Sequence, residues 1–171
     1  MSISNRNILL ALFVLATSVA CREVFVEGPP CTTAGEGPFS GDASGAESGA
    51  LRGCASYAVT SSTGSSVTGL VLEAGSSISP SPIVSLARTG ARPPVGTYTI
   101  GVNAANFAGS VLLNPGGSFG LTSGTVTIDV SADGILGGTV NVTGTQSGTG
   151  SSITIIGTFS AQCTPSGSVS C

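Results

Sequence analysis

The sequence predicts an all-β domain, an antiparallel β-sandwich, with a small β-barrel as the alternative. Three observations lead there. Apolar and polar residues alternate strictly in several short stretches, as in a sheet with one buried face. Gly-rich turns punctuate those stretches at regular spacing, the pattern of sandwiches and barrels. Beyond residue 21 no run keeps apolar residues at i, i+3, i+4 and i+7 without Gly or Pro, so almost no helix is expected.

The chain opens with Arg6 and then a wholly apolar or small stretch from Ile8 to Ala20. A bilayer span needs about 20 apolar residues, so this run is too short. A charged start, an apolar middle and small residues at the end are the layout of an export signal. Cys21 follows at once in Ala16-Thr17-Ser18-Val19-Ala20-Cys21. That arrangement resembles the lipobox of bacterial lipoproteins, with Ser18 where Leu is usual. The resemblance implies cleavage before Cys21 and attachment of acyl chains such as palmitate to it. Cleavage after Ala20 without lipid, giving a secreted or periplasmic protein, is the alternative. The domain organisation that follows is residues 1–20 as signal peptide, 21–36 as tether and 37–171 as one all-β domain. The location implied is the bacterial cell envelope, at the outer membrane, with the lipid on Cys21 as the contact with the bilayer.

Strands are expected at 52–60, where Ala55, Tyr57 and Val59 share a face, and at 67–73, where Leu70 and Leu72 do. A short strand from Ile83 to Ala87 leads into a loop, Arg88 to Pro94, whose Pro93-Pro94 is incompatible with a central strand. Tyr98, Ile100 and Val102 alternate at 97–102. Ser110–Leu113 and Gly117–Leu121 flank the turn Asn114-Pro115-Gly116. The clearest strand is 125–131, with Val126, Ile128 and Val130 on one side. Ala132-Asp133-Gly134 turns it into Ile135–Thr143, carrying Val140 and Val142, and a third strand from Ser152 to Ala161 places Ile153, Ile155, Phe159 and Ala161 together. These last three form a meander. The Gly/Ser/Ala stretch Gly41–Ala50 reads as a loop. A membrane-spanning barrel is not expected, because the strands are short and aromatic girdles are missing.

The motifs Gly96-Thr97-Tyr98, Ser123-Gly124-Thr125-Val126-Thr127-Ile128, Gly137-Gly138-Thr139 and Gly157-Thr158-Phe159-Ser160-Ala161 resemble the C-terminal halves of small bacterial envelope lipoproteins of the DUF6252-like kind. The likeness covers about residues 80–163. It implies one β-rich domain at the envelope and brings no catalytic residues with it.

The residue inventory excludes much chemistry. The chain has five Arg, no Lys, no His and eight acidic residues. Without His or Lys there is no Ser-His-Asp, Cys-His or Ser-Lys catalysis and no P-loop. The dispersed Arg cannot neutralise a phosphate backbone, so no nucleic-acid partner is expected. Five Cys stand at 21, 31, 54, 163 and 171. Setting Cys21 aside leaves an even number, Cys31, Cys54, Cys163 and Cys171, suited to two disulfides in an oxidising compartment. Local pairing, Cys31–Cys54 with Cys163–Cys171, is favoured because short loops close more easily; the other two pairings stay open.

No metal site and no cofactor are expected. Asp42, Glu47, Glu73, Asp129 and Asp133 are the carboxylates from which a glycosidase-type pair would come. Asp129 lies on an outward strand face and Asp133 in a turn. Together they are too few for calcium, which takes 6–8 oxygens. The sequon Asn141-Val142-Thr143 falls mid-strand, and Gly148-Thr149-Gly150 reads as a hairpin turn. The one loop with ligand-binding character holds Arg88 and Arg92. The expectation is therefore a non-enzymatic, lipid-anchored domain with a structural or binding role, working with an envelope protein partner. The alternatives are a self-assembling or adhesive surface protein, drawing on the uncharged run Ile153–Phe159, and, with less support, a secreted carboxylate-dependent hydrolase.

Overall fold

A computed structural model describes residues 31, 35–62, 64–75, 81–103, 105–132 and 134–163. They contain nine strands and no helix: β1 (Gly37–Gly45), β2 (Gly49–Ser62), β3 (Ser65–Ala74), β4 (Ser81–Thr89), β5 (Gly96–Thr99), β6 (Ala108–Asn114), β7 (Gly117–Ala132), β8 (Ile135–Gln146) and β9 (Ser152–Cys163). The all-β expectation holds, and of the two architectures the structure is the barrel. Neighbouring strands pair antiparallel around a ring, β1-β2-β3-β4-β6-β7-β8-β9. The ring closes where β1 pairs with β9, from Phe39 opposite Phe159 to Gly45 opposite Ile153. Eight strands make a barrel just wide enough to be filled by its own side chains. Beyond the start of β1, β2 and β9 meet directly in a short parallel pairing, Tyr57 beside Cys163.

β5 is the ninth, extra strand. It pairs only with β7, Gly96 opposite Ile128 through Thr99 opposite Thr125. β6 pairs with the earlier part of the same strand, Ser110 opposite Gly120. β5 and β6 thus lie end to end along one side of β7. The crossover from β4 to β6, residues 90–107, lies at the end of the barrel where β9 finishes. The turns 46–48, 115–116 and 147–151 form the opposite rim.

Why this is a barrel and not a sandwich is visible at inward glycines. A Cβ on Gly53 of β2 would stand 1.9 Å from the Glu73 carbonyl oxygen, and one on Gly138 of β8 would stand 1.9 Å from that of Thr127. No side chain fits there, so adjacent backbones approach closely and the sheet coils enough to meet itself. Alternation of residues, which sandwich and barrel share, carries none of this information.

The interior is mostly apolar; Thr68 of β3 is fully buried, and its hydroxyl donates to the Gly90 carbonyl at 3.1 Å. Leu51, Ala55, Leu70, Leu72, Val84, Phe107, Val111, Val126, Ile128, Leu136, Val142, Ile153, Ile155 and Ala161 are fully buried. Each fully buried Leu, Ile, Val or Phe contributes about 1.5–3 kcal/mol of transfer free energy. The outer wall of β1, β9, β8, β7 and β5 is hydroxylic. Ser40, Thr158, Thr139, Thr127 and Thr97 face one another in a continuous row across five strands. Ser40 and Thr158 hydroxyls are 3.2 Å apart, as are those of Thr97 and Thr127. Such cross-strand pairs each add a few tenths of a kcal/mol to a sheet.

Five local expectations are corrected. Gly41–Ala50 is not a loop: β1 runs through Gly45 and β2 starts at Gly49. Its small residues are needed because a Cβ on Gly41 would meet the Ile156 carbonyl at 2.2 Å. Stretches 117–121 and 125–131 are one strand, β7, interrupted by register shifts at Leu121/Ser123 and Ile128/Val130. The second shift turns Val130 outward, 46% exposed, away from the buried face of Val126 and Ile128. Val102 lies beyond β5 and is fully exposed. Arg88 belongs to β4 and not to the loop after it.

Candidate functional site

The β4–β6 crossover gathers the residues with the most chemical character. Inward positions of β4 are Pro82, Val84 and Leu86, so period two brings Arg88 to the inward side at the barrel's end. Its guanidinium lies over the Tyr98 ring, 5.2 Å from the centroid. Its Nε donates to the Ala105 carbonyl at 3.1 Å, and Nη1 donates to that of Ala91 at 3.4 Å. Tyr98 in turn meets Phe107 edge-on, centroids 5.7 Å apart at 89°. The Tyr98 hydroxyl donates to the Pro94 carbonyl at 2.7 Å. Phe107 is fully buried and its N–H donates to Thr99. Ser131 of β7 donates to the Pro93 carbonyl at 2.7 Å, fixing the other arm of the crossover.

Arg88, Tyr98 and Phe107 thus form a stack that runs from the surface to the core at the crossover. Arg88 spends its donors on backbone carbonyls and its face on an aromatic ring, an arrangement that suits a clamp. Arg92 differs. It is half-buried in the loop and makes no hydrogen bond or ion pair among the described residues. The two arginines paired by sequence proximity therefore separate into one structural group and one with free donors. Val95, 63% exposed, and Val102 stand on either side of β5.

The carboxylates do not converge. Asp42 and Asp129 are exposed on the outer faces of β1 and β7, and Glu47 sits in the β1–β2 turn. Asp133 lies outside the described residues. Glu73 and Glu36 line one surface notch of about 20 Å³ with Cys54, Ser56 and Val71. That is room for about one water. Among the described residues no group of three His, Cys, Asp or Glu is arranged to hold a metal. Asn141 is exposed on β8 and the Gly148–Gly150 segment is a hairpin turn, where Gly150 N–H donates to Gln146.

Cys31 and Cys54 form a disulfide with Cα atoms 5.7 Å apart. Cys54 points out of the barrel from β2, so the bond fastens the segment before β1 to the outer wall. Cys163 is disulfide-bonded as well, to a cysteine outside the described residues. Cys21 and Cys171 also lie outside them. Inside the barrel one polar atom stands apart: the Tyr57 hydroxyl is buried without a hydrogen-bond partner among the described residues. Comparison with protein-family models, curated proteins and solved structures found no match.

Proposed function

We propose that this chain is a lipid-anchored, non-enzymatic barrel of a bacterial cell envelope, displaying its outer wall and end loops for a structural or binding role. The observation that carries this reading is the apolar leader running into Cys21. The Cys31–Cys54 bond supports it, since disulfides persist in oxidising compartments outside the cytoplasm. The interior supports a non-enzymatic role: most described inward positions are apolar, and the buried hydroxyl of Thr68 is bonded to the Gly90 carbonyl, which leaves the surface as the place to bind. The test is the intact mass of the full chain purified from membranes. The reading expects a mature chain beginning at Cys21 with acyl groups added. A mature mass free of acyl groups refutes the anchor.

The self-assembling alternative draws on the run Ile153–Phe159. That run lies in β9, which is paired with β8 on one side and β1 on the other, so its edges are occupied. Among the described residues the strand laddered on one side only is the four-residue β5. The hydrolase alternative gains nothing from the Glu36–Glu73 notch, which is too small for a sugar ring.

A further inference from the structure

The exposed large hydrophobics are unevenly placed. Among the described residues they are Val67, Val71, Val95, Val102, Leu112, Val130 and Ile156. Val95 and Val102 belong to the crossover, and these are the two most exposed, at 63% and 101%. Val130 follows Asp129 on β7 and precedes Ser131, which is bonded to Pro93 of the crossover. Val67 of β3 neighbours Ser66, whose carbonyl accepts from Gly90 at the crossover's start. Four of the seven therefore lie at the crossover end, whereas Leu112, two residues before the end of β6, stands alone near the opposite rim among the described residues. Arg92 stands among them with free donors. The charges there are Arg88, Arg92 and Asp129, and Asp133, between β7 and β8, lies outside the described residues.

The chain outside the barrel leaves from the wall between the two ends. β1 starts at Gly37 opposite Ala55, part-way along β2, and the disulfide to Cys54 fixes Cys31 beside it, with Sγ 3.4 Å from the Gly37 carbonyl oxygen. From Cys31 back to Cys21 there are ten residues, which reach about 35 Å when extended. Strands of about twelve residues tilted by about 40° give a barrel roughly 30 Å tall. A tether of that reach holds the barrel close to its anchor but does not choose which end faces it. The surface has to choose.

We propose that the crossover end rests on the bilayer holding Cys21, with Val95 and Val102 in the headgroup layer and Arg92 donating to lipid phosphates. This rests on Cys21 being the lipidated residue. Exposed apolar tips beside a cation match an interface where apolar groups leave water and guanidinium groups meet phosphate. The opposite rim, with the turns 46–48, 115–116 and 147–151, then points away from the membrane and is free for a partner.

The chain has no Trp, so a single Trp reports position without background. The full acylated protein is prepared as Val95→Trp, Val102→Trp and, on the far rim, Ser48→Trp. Each is bound to vesicles of phosphatidylethanolamine and phosphatidylglycerol with brominated chains. Flotation measures anchoring independently of quenching. The proposal expects all three to float, with Val95→Trp and Val102→Trp fluorescence quenched roughly two-fold or more and Ser48→Trp unchanged. If all float and Ser48→Trp is quenched as much, or none is quenched, the orientation is overturned and the anchor stands. If none floats and the intact mass shows Cys21 without acyl groups, the anchor reading fails and this inference falls with it.

Discussion

Replacing Tyr57 by Phe should stabilise the barrel, although Tyr57 is among its most buried residues. The side chain is 2% exposed and its hydroxyl has no hydrogen-bond partner among the described residues. A hydroxyl buried without a bond costs about 1–3 kcal/mol by mutational measures. Phe keeps the ring in the same inward position on β2 and removes only the oxygen. What is lost is a handful of dispersion contacts at about 0.1–0.2 kcal/mol each, together under about 1 kcal/mol. The net gain is therefore about 0.5–2 kcal/mol. Urea unfolding followed by circular dichroism measures it as a rise in midpoint at constant slope. In a heating experiment each kcal/mol corresponds to about 2–4 °C at this chain length. Tyr57→Ala, the companion, should lose about 3–5 kcal/mol because the ring fills the barrel. A Tyr57→Phe protein less stable by about 1 kcal/mol or more would refute the reasoning, because the hydroxyl would then be making a bond in solution.

Three further outcomes follow from the geometry. Replacing Cys31 and Cys54 together by Ser opens a 23-residue separation and should cost about 3 kcal/mol in urea unfolding, with the far-UV spectrum retained. Gly53→Ala places a methyl against the Glu73 carbonyl and should cost about 3 kcal/mol or more, whereas Gly69→Ala, with nothing within 4 Å, should be neutral or stabilising by up to about 1 kcal/mol. Arg88→Ala should lose about 1–2 kcal/mol through the Tyr98 stack and the Ala105 bond, and Arg92→Ala should stay within about 0.5 kcal/mol; thermal melts of the pair separate the two roles.

What the sequence disclosed depended on whether a residue's local pattern carried its environment. Val140 with Val142, Leu70 with Leu72, and Ile153 with Ile155, Phe159 and Ala161 were legible, because period two alone decides which side a strand residue faces. The turn at Asn114-Pro115-Gly116 was legible too; its Asn114–Pro115 bond is cis. β1 was hidden because Gly41 and Ala43 are selected by the closeness of β9, a long-range neighbour that leaves only a loop-like composition behind. Alternation alone puts Val130 on the buried face, and the register shift that turns it outward is a property of two strands together, which one strand's pattern cannot show. The same holds for closure of the ring: β1 and β9 lie more than a hundred residues apart, and nothing local announces their pairing. At the crossover, Arg88 and Arg92 look alike in sequence. Their difference comes from parity, since Arg88 continues the inward face of Val84 and Leu86 and so meets Tyr98. The full burial of Phe107 against Tyr98 had no sequence signal beyond its being aromatic.

The pairing of β1 with β9 is the most direct point of attack, because together with the short β2–β9 contact it turns a coiled sheet into a closed wall. Amide hydrogen exchange and cross-strand nuclear Overhauser contacts on the oxidised protein measure it. A closed ring gives contacts between Ser40 and Thr158 and between Asp42 and Ile156, with β9 amides protected as strongly as those of β3. Rapid exchange along β1, with no contact to β9 while β2, β3 and β4 remain protected, would mean an open sheet and would contradict it.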